Sequence, residues 1–220
     1  MRSRQLLYWL IPIALTTALP AQTFSLQSTD GLMMRSVKGQ AETYKGRKCV
    51  RLTAEDKDNG LAVLTGTEFQ DGTIEADFTG VPGPGANTAA RGFVGLAFRI
   101  APEGTKFELM YLRPTNGRAD DQERRNHSVQ YDSFPDFPWF RLRKETPSKY
   151  ESYVDVQPDV WTKIRIEVRG DHARLFVHDQ QQPTLVVNDV KSGANAKGGV
   201  ALWIDRGTIA HFRDLTVLGQ

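Results

Sequence analysis

Residues 107–155 read FELMYLRPTNGRADDQERRNHSVQYDSFPDFPWFRLRKETPSKYESYVD, and they concentrate the groups of this chain that could do chemistry. The candidate carboxylates here are Asp120, Asp121, Glu123, Asp132, Glu151 and Asp155. Two carboxylates held about 5–9 Å apart can cleave a glycosidic bond. Glu151 and Asp155 are four residues apart in a strand-like segment, about 13 Å at the rise of a strand, so they are not such a pair by themselves. Glu151 with Asp120 or Asp121 could be. His127 titrates in the range that suits a general base. Glu151, His127 and Asp121 are therefore the candidate catalytic groups. The competing reading is structural: Arg113, Arg118, Arg124, Arg125 and Arg141 lie close in sequence and would neutralise the same carboxylates, with His127 as a hydrogen-bonded scaffold residue.

The neighbours of these groups suit a sugar, which offers hydroxyls at its edge and C–H groups on its face. Tyr111, Tyr131, Trp139 and Tyr153 can lie against a sugar ring. Asn116, Asn126 and Gln130 can exchange hydrogen bonds with hydroxyls. Arg99, Arg113 and Arg125 can orient hydroxyls or carboxylates through a planar fork. Trp161 and Trp203 sit inside apolar strand patterns and read as core anchors. The four histidines show no metal-ligand spacing, and no metal site is expected. Asp56-Lys57-Asp58-Asn59-Gly60 resembles a calcium loop but puts glycine at position five, where a ligand belongs. A structural calcium stays open on that segment, and no other cofactor is expected.

The elements that must hold these residues read as short strands. Segments 24–28, 32–37, 41–45 and 47–53 are separated by Asp30-Gly31, Lys38-Gly39 and Gly46, and 61–65 is an apolar strand behind Asp58-Asn59-Gly60. In TIEADFTG, Ile74, Ala76 and Phe78 alternate with polar residues, the period of a half-buried strand. The Gly- and Pro-rich segment 80–91 is a long connection or a lid. In RGFVGLAFRI one face is apolar, while Phe93, Gly95, Ala97 and Arg99 make a second face with room above it. HSVQYDS and YESYVDV read as strands, and FPDFPWFRLR as a rigid aromatic loop fixed by Pro135 and Pro138. WTKIRIEVRG and DHARLFVHD form a hairpin across Gly170-Asp171, expected as a type I′ turn. The apolar parity of the last strand slips between Phe212 and Leu215, which predicts a bulge near Arg213-Asp214. No amphipathic helix longer than two turns is evident. Many short strands with turn signals between them predict an all-β fold, an antiparallel β-sandwich with one face of each sheet solvated.

Whole-chain numbers narrow the function classes. The 220 residues suit one domain with a sizeable core. Arg2 and Arg4 precede an apolar run from Leu6 to Leu15 and small residues ending at Ala21, the pattern of a secretory signal peptide over residues 1–21. The apolar run is too short for a membrane span, so no stable membrane insertion is expected once the leader is cleaved. Residues 22–220 would then be a single exported domain, periplasmic or extracellular and bacterial in style. Setting Arg2 and Arg4 aside leaves 26 basic residues against 26 acidic ones. A neutral chain argues against nucleic acid as a partner. Cys49 is the one cysteine, so an internal disulfide is excluded.

The run from Trp161 through WTKIRIEVRG, DHARLFVHD and GGVALWIDRGTIAHFRDLTV, with DGTIEADF before it, resembles the concanavalin A-like lectin/glucanase superfamily over residues 69–217. Within it the chain is most similar to bacterial exported 3-keto-disaccharide hydrolase-like or laminin-G-like domains. HSVQYDS echoes the Glu-Tyr-Gln-x-x-Asp strand of the keto-sugar hydrolases, with Gln130-Tyr131 reordered. The resemblance implies a jelly roll with ligands on its concave sheet. Endo-glucanases of this fold carry Glu-x-Asp-x-x-Glu on one strand; here Glu75-Ala76-Asp77 is followed by Gly80 in place of the third carboxylate. Two functions fit: an exported protein that hydrolyses or lyses a glycoside in a polar and aromatic groove, or a non-catalytic carbohydrate-binding module. A carbohydrate or glycoside is the expected partner in both.

Overall fold

The computed structural model describes residues 21–54 and 59–219. The leader of residues 1–21 therefore lies outside them except for Ala21, as do three residues of the calcium-like loop, Asp56 to Asp58.

Two antiparallel sheets stack on one another. The first contains β1 (Gln22–Phe24), β3 (Val37–Tyr44), β4 (Arg47–Ala54), β6 (Gly72–Pro82), β11 (Thr162–Arg169), β12 (His172–Val177), β13 (Leu185–Val187) and β15 (Thr208–Gly219). Their order is β13-β12-β11-β6-β15-β4-β3, and β1 pairs with the far end of β15. The second contains β2 (Leu32–Arg35), β5 (Gly60–Leu64), β7 (Val94–Ile100), β8 (Phe107–Leu112), β9 (Val129–Phe134), β10 (Glu151–Ser152) and β14 (Gly199–Ile204), in the order β10-β9-β8-β7-β14-β5-β2. Inward-facing residues such as Ile74, Phe78, Ile166, Phe212, Leu96, Met110 and Leu202 fill the space between the sheets. Alternation along each strand puts every second side chain there, which is how a sandwich buries one face of each sheet.

The first sheet has the solvated outer face that its sequence predicts, with Lys163, Arg165 and Glu167 outside. The second does not. Its strands β5, β7 and β8 are buried on both faces. On the outer face Leu61, Val63, Ala97, Leu109, Tyr111 and Trp203 form a second apolar cluster. The room expected above Gly95 is taken up by a neighbour: a Cβ there would meet the Cβ of Tyr111 at 2.5 Å and the Met110 carbonyl at 2.3 Å. The glycine admits the close approach of β8.

Local departures have local causes. FPDFPWFRLR is not all loop: Pro138 caps α2 (Trp139–Glu145). A proline sets the backbone for a helix start, and the next seven residues contain no breaker. YESYVDV pairs only through β10, because the Val154 N–H is taken by the Ser128 hydroxyl at 2.8 Å. The hairpin between β11 and β12 forms at Gly170-Asp171, yet only Gly170 has positive φ, at 58°. That fits a type II′ turn, which needs the left-handed region at its first central residue alone. The register of β15 against β6 shifts between Arg213 and Thr216, where the bulge was expected.

Candidate functional site

Pairing in the second sheet lines up residues that are far apart in sequence. Glu151 stands opposite Gln130, Gln130 opposite Tyr111, Tyr111 opposite Gly95, and Gly95 opposite Trp203. This row crosses the outer face of the sheet at its polar end. Between β8 and β9 the chain makes an excursion that builds a wall beside the row. It begins with a 3-10 turn at Pro114–Asn116 and continues into α1 (Gln122–Asn126). The Asp121 carboxylate accepts the Arg124 N–H at 2.7 Å and so caps α1. His127 ends that helix, its N–H donating back to the carbonyls of Arg124 and Arg125. Asn116 fixes the exit: its Nδ2 donates to the His127 carbonyl at 3.1 Å, and its Oδ1 accepts from Arg124 Nε at 2.9 Å.

His127 Nδ1 lies directly against Glu151 Oε2, an ion-pair contact without hydrogen-bond geometry. Arg143, on α2, grips the same carboxylate with two N–H donors, Nε at 2.7 Å and Nη2 at 2.9 Å. Glu151 is thus buried, neutralised by a guanidinium fork, and placed behind the imidazole. The nearest acid to Nε2 is the exposed Glu123, at 3.9 Å. Burial pushes the His127 imidazole below its ordinary value, and the guanidiniums of Arg143 and Arg113 push it the same way, while Glu123 opposes them. In a neutral ring the tautomer with its proton on Nδ1, beside the carboxylate, carries its lone pair on Nε2.

His127 opens on a cavity of about 620 Å³. Its walls include Asn87, Arg91 and Phe93 from the Gly- and Pro-rich connection, Asn116, Asp121 and Arg124 from the excursion, Trp139 and Arg143 from α2, and Arg113, Asp205 and Arg206. Five arginines therefore face three acids, Asp121, Glu123 and Asp205, and the cavity is positive. Arg113 is buried and no carboxylate reaches it within ion-pair distance among the described residues. It donates to the Tyr111 hydroxyl at 3.0 Å, Gln130 Oε1 at 3.1 Å and the His127 carbonyl at 3.2 Å, and its Nε is left without a partner. Burial beside Arg124 and Arg113 holds Arg91 below its usual value.

Not every candidate residue gathers here. His127, Asp121, Asn116, Arg113 and Trp139 line the cavity, and Tyr111 lines a groove that adjoins it. Gln130 and Glu151 stand behind the lining. Arg99 does not join them: it lies at the opposite end of β7, its guanidinium spent on the carbonyls of Gln70, Gly170 and Gly193 and on Asp71. Tyr131 points into the space between the sheets, where its hydroxyl donates to Glu108. Arg125 and Tyr153 pair with each other on the outside, with Arg125 over the ring, and Asn126 accepts from Gln122 on the surface of α1. Asp155 is tied to Arg118 in an exposed bidentate pair. Strand parity could have shown that Tyr131 faces opposite to Gln130. Arg143, Asp205 and Arg206 carry no local signal, because their partners come from other elements. Among the described residues no three His, Cys, Asp or Glu side chains gather as a metal-binding group, and no helix is long and apolar enough to cross a membrane.

Residues 23–218 match the family described as the 3-keto-alpha-glucoside-1,2-lyase-like domain. No curated protein matches the chain. Among solved structures, the carbohydrate-binding module CBM66 from Bacillus subtilis superposes with a TM-score of 0.55 at 16% identity, over 85% of this chain and 96% of that one. A protein of unknown function with a galectin-like fold, also from Bacillus subtilis, gives 0.58 at 16% identity, over 90% and 94%. A putative glycosyl hydrolase from Parabacteroides distasonis gives 0.55 at 10% identity, over 90% and 100%. At these identities the structural neighbours establish the lectin-like sandwich, and the family rests on the sequence match.

Proposed function

The chain belongs to the 3-keto-alpha-glucoside-1,2-lyase-like family, and from that premise we propose that it cleaves a 3-keto-glycoside by removing the proton at C2, with His127 as the base. The supporting observation is the imidazole whose buried Nδ1 lies against Glu151 while its Nε2, on the cavity side, has only the exposed Glu123 near it, at 3.9 Å.

A ketone at C3 makes the C2 proton acidic, because the electron pair released there can spread onto the carbonyl oxygen. His127 Nε2 takes that proton. The negative charge collects on the C3 oxygen, and the guanidinium of Arg113, buried without a carboxylate, supplies fixed positive charge and a bare N–H for it. Charge stabilised by groups already in place costs no reorganisation when it forms. The pair then closes a C1–C2 double bond and the C1–O bond breaks. Glu151 is a positioning residue in this reading: it holds the ring's tautomer and angle, and Arg143 cancels its charge so that the ring stays neutral. Asp121 is likewise a positioning residue, through α1. Export, expected from the leader pattern, would put the reaction outside the cytoplasm.

The test is turnover of a 3-keto-α-glucoside, followed by loss of the C2 hydrogen into solvent. His127→Ala should lower kcat by about 10²–10⁴-fold, the usual worth of a positioned base. Binding without any turnover would leave the non-catalytic binding module as the function, and full activity in the alanine variant would remove His127 from the role of base.

A further inference from the structure

Beside the cavity of His127 runs a second groove of about 260 Å³ that the reaction above does not use. It shares Phe93, Trp139, Asp205 and Arg206 with the cavity, so the two are continuous. Its remaining walls are mostly aromatic and apolar, Tyr111, Phe134, Pro138, Phe140 and Trp203, with Asn59 and Asp132 as the polar members. The rings back one another, Tyr111 against Trp203 at 4.9 Å between centroids and Phe93 against Tyr111 at 6.0 Å. Phe140 is 61% exposed, an unusual position for a phenylalanine with nothing to cover it.

In this groove sits Asp132, which is 1% exposed. It lies two residues along β9 from Gln130, hence about 7 Å from the row that ends at Glu151. Trp139 donates its backbone N–H to the carboxyl. The Oδ1 atom has no partner, and neither has the buried indole N–H of Trp203. A buried polar atom left unpaired costs enough that native folds rarely leave one without a use. Burial holds the Asp132 carboxyl well above the usual carboxylate range, against the pull of Arg113, the Trp139 N–H and Arg143. It therefore carries a proton where an ordinary aspartate has lost it. His127 and Asp132 are moved in opposite directions by their surroundings, which is how one site holds a base and an acid together.

We propose that this groove is the leaving-group subsite, that it takes an aromatic or apolar aglycone, and that Asp132 gives its proton to the departing oxygen. The proposal rests on the lyase reading. An aryl ring would bury apolar surface against several of these rings, whereas a second sugar would depend on Asn59, Asp132, Asp205 and Arg206 for its hydroxyls. The step balances. His127 gains the C2 proton, the C1–O bond breaks, and Asp132 supplies the proton that completes the alcohol or phenol. Return of a proton from His127 to Asp132 through water resets both.

Binding and turnover test the two halves separately. By calorimetry, phenyl α-glucoside should bind at least about tenfold tighter than methyl α-glucoside or trehalose, the worth of one buried ring, and Phe140→Ala should erase the difference. Equal affinity for the phenyl glucoside and the disaccharide would overturn the subsite without touching the lyase reading. Asp132→Asn keeps the shape and the acceptor for Trp139 but has no proton to give. On the 3-keto form of an alkyl glucoside it should lower kcat about 100-fold. On the 3-keto form of 4-nitrophenyl glucoside, whose phenolate leaves unprotonated, it should change kcat less than threefold, a small effect on the same scale. Equal losses on both would overturn Asp132 as the acid. If His127→Ala abolishes turnover in the same assays, the lyase reading survives that outcome; if the wild type turns over neither compound, both fall together.

Discussion

At the residue, the decisive question is who holds the proton. His127 is kept neutral by burial and by Arg143 and Arg113. Its folded value lies below the ordinary 6.5, so the folded state refuses a proton that the unfolded chain accepts. Stability from this group is complete above pH 6.5 and falls as the pH drops from there through the folded value. Catalysis should follow the same group: its limb of the kcat/KM profile should be level across neutrality and fall on the acid side of pH 6.5, while loss of the Asp132 proton sets a separate alkaline limb, read from a pH–rate profile. Glu151→Gln removes the carboxylate that fixes Nδ1–H and leaves Arg143 facing an amide. We expect kcat to drop about 100-fold, and the acid limb to shift, because an uncompensated Arg143 pushes the imidazole further down. A merely structural Glu151 would lower the melting temperature and leave that limb in place.

At the element, short pieces of irregular chain carry the residues of the proposed chemistry while the strands only place them. α1 has five residues and would not stand alone. Asp121 at its start and Asn116 against its end hold it, and His127 is its last link. Asp121→Ala should cost about 1 kcal/mol locally, the usual worth of an N-cap. By letting the imidazole drift it should lower kcat/KM about tenfold, an amount of similar energy. Asp121→Asn, which can still cap, should restore most of it, and steady-state kinetics on the two variants decides. This is also where the sequence becomes hard to read. The sandwich was legible because Ile74, Ala76, Phe78 and Ile164, Ile166, Val168 alternate with a period of two. The bulge at Arg213-Asp214 was legible because that period slips. His127 and Glu151 could be singled out by type, and a shared cavity could be supposed. Their contact is made by pairing of β9 with β10, and Arg143 reaches it from a helix hidden in a proline-rich segment. Arg99 misled because an arginine in a strand of small residues looks like a ligand group, when in fact it ties loops together at the other end of β7.

At the scale of the molecule, the second sheet separates the residues that hold the fold from those that face the cavity and its groove, and β8 and β9 show the division. Gln130 and Asp132 look outward, with Tyr111 opposite Gln130. Tyr131 and Glu108 look inward, into the space between the sheets. There Glu108 accepts from the Tyr131 and Ser133 hydroxyls and from the Ser192 N–H, the last at 2.9 Å. The Tyr131 hydroxyl in turn accepts the Lys191 N–H at 2.8 Å. A buried carboxylate is tolerable only while such donors surround it. They also fasten the segment around Lys191 and Ser192 to the inner face of the second sheet. Tyr131→Phe removes one charge-assisted bond to Glu108 and orphans the Lys191 N–H. It should destabilise the fold by about 2–3 kcal/mol, read from the urea midpoint at unchanged slope. Because nothing in that network reaches the cavity, kcat/KM below the unfolding transition should stay within about twofold of wild type. Tyr111→Phe is the same deletion on the opposite face. It removes a buried acceptor of Arg113 beside the proposed oxyanion and leaves the inner network intact, so the urea midpoint should fall, as for Tyr131→Phe, but here KM or kcat should move as well. If the inner variant loses activity as much as stability, the two faces are coupled through the sheet, and the division of labour between them does not hold.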